Sequence, residues 1–149
     1  MKKIILAAFM FVSIMTANTF ADIKMGIILG FTGPIESLTP AMAASAELAF
    51  NEASDSGSLL GGQKISVNRA DSTCVDSAAA TSAAEGLISG GVVAIMGADC
   101  SGVTGAINAN VAVPNGVLMV SPSATSPGLS KIADNGTFWR TAPSDAMGG

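Results

Sequence analysis

The 149-residue sequence contains no histidine and no tyrosine, and only 7 of its residues are lysine or arginine. Without an imidazole base, neither a serine–histidine–aspartate triad nor a cysteine–histidine pair can be assembled. The formal net charge is −4, whereas nucleic-acid binding relies on a positively charged surface. Two cysteines with carboxylates would be an unusual ligand set for structural zinc. We therefore expect neither a nucleic-acid partner nor an enzyme of these types, and no metal or cofactor.

The amino-terminal segment has the three parts of a secretory signal peptide. Lys2 and Lys3 form a short positive region, residues 4–15 are almost wholly apolar, and Thr19 and Ala21 place small residues at positions −3 and −1 of a cleavage site. A membrane anchor is the alternative, but about 12 apolar residues fall short of the roughly 20 that cross a bilayer. We expect cleavage after Ala21 and export of residues 22–149.

The two cysteines, Cys74 and Cys100, both lie in the part of the chain that would be exported. An even number of cysteines in an oxidising compartment favours a disulfide bond. The alternative is a pair of buried free thiols.

Short apolar runs alternate with helical segments along the mature chain. Thr39 and Pro40 are suited to be the N-cap and first residue of a first helix, and Asp76 is suited to cap a second. Strands are predicted at residues 23–29, 64–71, 92–97, 117–120 and 137–141, and helices at 39–54, from 76 to about 90, at 101–113 and from 144 onward. Such alternation predicts right-handed βαβ units and an α/β fold with one parallel sheet flanked by helices.

Ligands of open parallel sheets bind beyond the carboxyl ends of the strands. This rule selects three polar loops, at residues 30–38, 98–102 and 121–126. Ser101 stands where a helix begins, a place suited to an anion such as a carboxylate, although a serine there also commonly caps its own helix. Asp99 resembles a catalytic carboxylate, but a lone carboxylate is more often solvated or helix-capping. Phosphate-binding and hydrolase signatures are absent.

Several segments in order carry a resemblance to a known family: DIKMGIILGFTGPI, LLGGQKISV, ADSTCVD, VVAIMGADCSG, GVLMVSPSATSPGLS and FWRTAPSD. The chain resembles the amino-terminal lobe of the periplasmic branched-chain amino-acid binding proteins, which are the receptors of ABC importers. The resemblance implies a Rossmann-like lobe of the type I periplasmic binding protein fold over residues 22–149, and a second lobe that this chain does not contain.

The resemblance also implies the ligand contacts. Ser101 matches the serine whose hydroxyl and backbone N–H bind the ligand α-carboxylate, and Thr125 matches the threonine that binds the same group. Ser123 matches a position whose backbone carbonyl accepts from the α-ammonium. Asp99 and Cys100 would line the pocket through their backbone atoms.

Two positions depart from the leucine/isoleucine/valine receptors. Leu38 stands where those receptors often have an aromatic residue, and Asp99 stands where they have an apolar one.

The implied function is capture of a branched-chain or similar amino acid in the periplasm, by a monomer, for delivery to an inner-membrane permease. The alternatives are a sensor of short-chain amides or urea with the same fold and, third, an exported enzyme.

Overall fold

The structure, a computed structural model, describes residues 21–148. The predicted signal peptide therefore lies outside the described residues, apart from Ala21. Within the described part of the chain, no helix is both long and apolar enough to cross a membrane.

A single parallel sheet of five strands forms the centre of the described chain, in the order β2-β1-β3-β4-β5. The strands are β1 (Ile23–Leu29), β2 (Ile65–Asp71), β3 (Ala94–Gly97), β4 (Leu118–Ser121) and β5 (Phe138–Arg140). The predicted α/β fold is confirmed. β1 is an interior strand with packed helices on both faces, so its residues from Gly26 to Leu29 are all buried, as its continuous apolar pattern predicts.

Helices occupy both faces of the sheet. They are α1 (Thr39–Asp55), α2 (Ser77–Ser89), α3 (Ser101–Ile107) and α4 (Val113–Asn115), with short 3₁₀ helices at Leu59–Gly61, Pro127–Lys131 and Asp145–Met147. A π-helical turn (Asn108–Ala112) joins α3 to α4, so the predicted helix over 101–113 is present but irregular. Pro114 explains the irregularity, because it lacks the N–H that would bond to the carbonyl of Asn110 and its ring needs space there.

The two predicted helix caps have different outcomes. Asp76 caps α2, since its carboxylate accepts hydrogen bonds from the N–H groups of Ala78 at 2.9 Å and Ala79 at 3.0 Å. The prediction of Thr39 as the N-cap of α1 is wrong, because Leu38 occupies that position without a side-chain cap. The Thr39 hydroxyl instead donates to the carbonyl of Gly30 at 3.2 Å. It is fully buried and ties the start of α1 to the end of β1.

The hydrophobic core consists of two layers, one on each face of the sheet. The layer under α2 and α3 is the larger and includes Ile28, Ile95, Met119 and Phe138. On the opposite face α1 packs on Ile27 and Leu29. An apolar groove of about 280 Å³ remains between α1 and strands β3 and β4. Its lining side chains are all apolar, so it offers no side chain for a charged ligand.

Candidate functional site

A disulfide bond between Cys74 and Cys100 joins the loop after β2 to the loop after β3. The Cα atoms of the two residues are 5.2 Å apart. This bond confirms the predicted pairing, and the alternative of two free thiols is wrong. The bond places Cys100, the N-cap of α3, beside the ends of two strands.

The Asp99 carboxylate lies beneath this edge of the sheet and is only 3% exposed. One of its oxygens, Oδ2, accepts a hydrogen bond from the Gly30 N–H at 2.7 Å. The other, Oδ1, accepts from the Ser72 hydroxyl at 3.2 Å and from the Cys100 N–H at 2.9 Å. The side chain is therefore not solvated, and it connects the residues that follow β1, β2 and β3.

Ser101 is the first residue of α3, so it does not cap its own helix. Its Oγ accepts hydrogen bonds from the backbone N–H groups of Thr125 and Ser126, both at 3.1 Å. Both lone pairs of the oxygen are thereby occupied, and the hydroxyl hydrogen remains available to an acceptor such as a ligand carboxylate. Ser101 thus joins the predicted loop at residues 98–102 to the one at 121–126, and its hydroxyl hydrogen lies where these two loops meet.

The loop after β4 is fixed against the loop after β3 by two further serines. The Ser123 hydroxyl donates to the backbone carbonyl of Asp99 at 3.0 Å, and the Ser121 hydroxyl donates to the carbonyl of Ala98. The backbone carbonyl of Thr125 accepts from the Asp145 N–H at 2.9 Å. Thr125 is half-buried and its backbone is held on both sides, so it lies next to Ser101.

Arg140 is a residue of this edge that sequence reasoning missed. Its guanidinium donates to the carbonyls of Ala124 at 3.1 Å and Ser126 at 2.9 Å, which flank Thr125. The available signal was a lone arginine at the end of the apolar strand FWR. Both bonds come from Nη1, whose two N–H groups reach one carbonyl each, so Arg140 fixes the direction of the loop that carries Thr125.

Leu38 is not part of this hydrogen-bonded group. Its side chain is 61% exposed at the start of α1 and presents apolar surface near the loop after β1.

The loop after β1 is held by Asp71 rather than by the disulfide. The Asp71 carboxylate accepts from the Thr32 hydroxyl at 2.6 Å and from the Thr73 N–H at 2.8 Å. Gly33 allows the two loops to approach, because its φ is +93° and a Cβ there would lie 2.5 Å from the carbonyl oxygen of Thr73. Burial alone would raise the pKa of Asp71, but these hydrogen bonds and those from the Thr32 and Phe31 N–H groups hold it below its ordinary value.

We expect the free energy of unfolding to decrease in acid partly through Asp71. The pKa of this carboxyl is lower in the folded chain than in the unfolded one. Its contribution is therefore complete above the unfolded value of about 4, and it is lost as the pH falls through the folded value. Urea unfolding between neutral pH and acid should show a shallower loss of stability in Asp71→Asn than in the parent chain. The exposed Asp22→Asn is the control, and equal slopes in all three proteins would contradict the prediction.

Comparison with known proteins agrees with this architecture. The family model described as periplasmic binding protein matches residues 22–149. The Leu/Ile/Val-binding protein BraC3 of Rhizobium johnstonii is 34% identical over 111 residues, which cover 74% of this chain and 29% of the relative.

Two solved structures have the same fold. The branched-chain amino acid transporter substrate binding protein LivJ of Streptococcus pneumoniae, in complex with isoleucine, has a TM-score of 0.75 at 31% identity, covering 85% of this chain and 35% of that one. A solute binding protein of an ABC transporter from R. palustris, in complex with benzoate, has a TM-score of 0.70 at 25% identity, covering 85% and 34%. The chain thus spans about a third of the length of these proteins. On the match of the family model to the whole predicted mature chain, this chain belongs to the periplasmic binding protein family.

Proposed function

We propose that the protein captures a branched-chain or similar amino acid in the periplasm and delivers it to the permease of an ABC importer. The observation that carries the proposal is the junction of Ser101 with the Thr125 loop. There the Ser101 oxygen accepts two backbone hydrogen bonds, so its hydroxyl hydrogen is free to donate to an anion at the first turn of α3. The similarity to LivJ, which holds isoleucine, supports the same ligand class.

In this proposal the ligand α-carboxylate binds the hydroxyl and N–H of Ser101 and the hydroxyl of Thr125. The backbone carbonyl of Ser123 accepts from the α-ammonium, and the backbone of Asp99 and Cys100 lines the pocket. Hydrogen bonds within the protein already hold these loops in place. The loops therefore need little reordering when the ligand binds, which lowers the entropic cost of binding. Leu38 supplies apolar surface toward the ligand side chain.

Residues 22–149 would form the amino-terminal lobe of a longer, monomeric protein. The relatives are about two and a half times as long as this chain, which supports a second lobe. That lobe would supply an acidic partner for the ligand ammonium and would close over the ligand. Binding and release, without chemical change of the ligand, are then the whole activity.

Titration calorimetry on the full-length, two-lobed protein tests the proposal. Leucine, isoleucine and valine should bind, and recovered ligand should be chemically unchanged. Urea and acetamide serve as the comparison set, because their binding in place of the amino acids would favour an amide sensor. Absence of binding by any amino acid would overturn the proposal, and turnover of a ligand would indicate an enzyme.

Export of the protein also has a direct measurement. We expect the intact mass of protein recovered from the periplasm to correspond to a chain that begins at Asp22, because Thr19 and Ala21 form the predicted cleavage site. An Ala21→Lys variant places a large charged residue at position −1 and should accumulate uncleaved. Periplasmic protein that retains residues 1–21 would contradict the prediction.

A further inference from the structure

Asp99 carries a buried negative charge that the proposed ligand contacts do not use. Two of its three hydrogen-bond donors are the backbone N–H groups of Gly30 and Cys100, which can only donate. Such a set of donors matches an ionised carboxylate. Within residues 21–148, the ion pairs join Lys64 to Asp55 and Arg69 to Glu47, so Asp99 has no basic partner among the described residues.

Asp99 is connected to both points that would hold the charged ends of the ligand. Oδ1 of Asp99 accepts from Cys100, the residue before Ser101, which would bind the ligand carboxylate. The backbone carbonyl of Asp99 accepts from the hydroxyl of Ser123, the residue that would bind the ligand ammonium. Because Asp99 is only 3% exposed, water and salt screen the electrostatic field of its carboxylate only weakly.

We propose that the Asp99 charge is a specificity determinant that favours ligands with an ammonium group beside the carboxylate and disfavours simple carboxylate anions. The inference rests on the proposed function. A carboxylate at Ser101 is repelled by Asp99, and a neighbouring ammonium at Ser123 is attracted to it. In a zwitterion the two effects largely cancel, whereas a ligand such as benzoate would experience only the repulsion.

The test compares L-leucine with 4-methylpentanoate, which is leucine without its amino group. Calorimetry on the full-length protein gives the ratio of the two dissociation constants. For unit charges on the order of 10 Å apart at an effective dielectric constant of about 20, Coulomb's law gives an effect on the order of tenfold. We expect Asp99→Asn to lower the preference for leucine by that order. Most of the change should be tighter binding of 4-methylpentanoate.

Three further variants separate charge from structure. Asp99→Leu removes the charge in a second way, should the amide of Asp99→Asn prevent folding. Ser72→Ala removes one hydrogen bond to Asp99 and keeps the charge, so it should change both affinities by the same factor. Asp76→Asn removes a carboxylate that caps α2, where asparagine caps equally well, and should leave the preference unchanged.

The two hypotheses fail in distinguishable ways. If the parent protein binds leucine and the folded Asp99 variants weaken both ligands equally, Asp99 is purely structural and the inference is overturned. If Ser72→Ala changes the preference as much as Asp99→Asn does, loop position rather than charge sets it, and the inference is likewise overturned. If the parent protein binds neither leucine nor any other amino acid, the proposed function fails and the inference falls with it.

Discussion

Ser101→Ala should weaken amino-acid binding by about 10- to 150-fold in the full-length protein, equivalent to about 1.5–3 kcal/mol for a hydrogen bond to a charged group. The hydroxyl is expected to donate to the ligand carboxylate, while its oxygen accepts from the N–H groups of Thr125 and Ser126. Alanine removes the donor and leaves two half-buried amides without their acceptor. The backbone N–H of residue 101 and the end of α3 remain and retain part of the affinity.

Thr125→Val removes the second hydroxyl and keeps the shape of the side chain, and we expect a loss in the same range. The double variant should lose less than the sum of the two single losses, because both hydroxyls act on one carboxylate and because Ser101 also holds the Thr125 backbone. Calorimetry on the parent, both single variants and the double variant measures this difference.

Ser45→Ala is the matched control, since Ser45 is an exposed serine of α1 whose hydroxyl donates within its own helix. It should change affinity by less than about twofold, in line with surface substitutions away from functional features. Unchanged affinity in a folded double variant would show that the ligand binds elsewhere. A lower melting temperature with unchanged affinity in Ser101→Ala would show that this serine only supports the fold.

The fold could be predicted from the sequence because its signals are local. The apolar run of β1 and the aspartate before α2 each define an element without reference to distant residues, and both predictions are confirmed. The Thr39 cap failed because a distant group, the carbonyl of Gly30, competes for its hydroxyl. Pro114 predicts a disturbance in the preceding helical turn, but the residue pattern does not specify that the hydrogen bonds there become π-helical.

The meeting of the polar loops at one edge of the sheet was predictable, but the side chains that hold them together were only partly so. The rule for parallel sheets selects one edge, and Ser101 and the Thr125 loop meet there. The carboxylate of Asp99 and the guanidinium of Arg140 could not be placed in advance. Asp99 accepts from Gly30 and Ser72, which are 69 and 27 residues away in the sequence, and Arg140 donates to carbonyls 14 and 16 residues away. Contacts of that range depend on strand order and on loop conformation rather than on neighbouring residues.

Reduction of the Cys74–Cys100 disulfide should lower the free energy of unfolding by about 3–4 kcal/mol, because a bond across a sequence separation of 26 residues restricts the unfolded chain. The effect should reach the ligand as well. Cys100 precedes Ser101, and its partner Cys74 lies in the loop after β2, so the bond fixes the start of α3 against a second strand end. We therefore expect weaker amino-acid binding in the reduced protein in addition to lower stability.

Urea unfolding with and without a reductant measures the loss, and the Cys74→Ala/Cys100→Ala double variant provides the control. That variant should match the reduced parent in stability and should not respond to the reductant, whereas a response would show that the reductant acts elsewhere. The Asp99 carboxylate still accepts hydrogen bonds from the N–H groups of Gly30 and residue 100 and from the Ser72 hydroxyl. These bonds should keep the loops after β1, β2 and β3 together without the disulfide, so the variant should still fold. The decisive opposing result is thiol labelling: if both cysteines are modified when the non-reduced periplasmic protein is unfolded in denaturant, the bond does not form in the cell and its stabilisation cannot be part of the native protein.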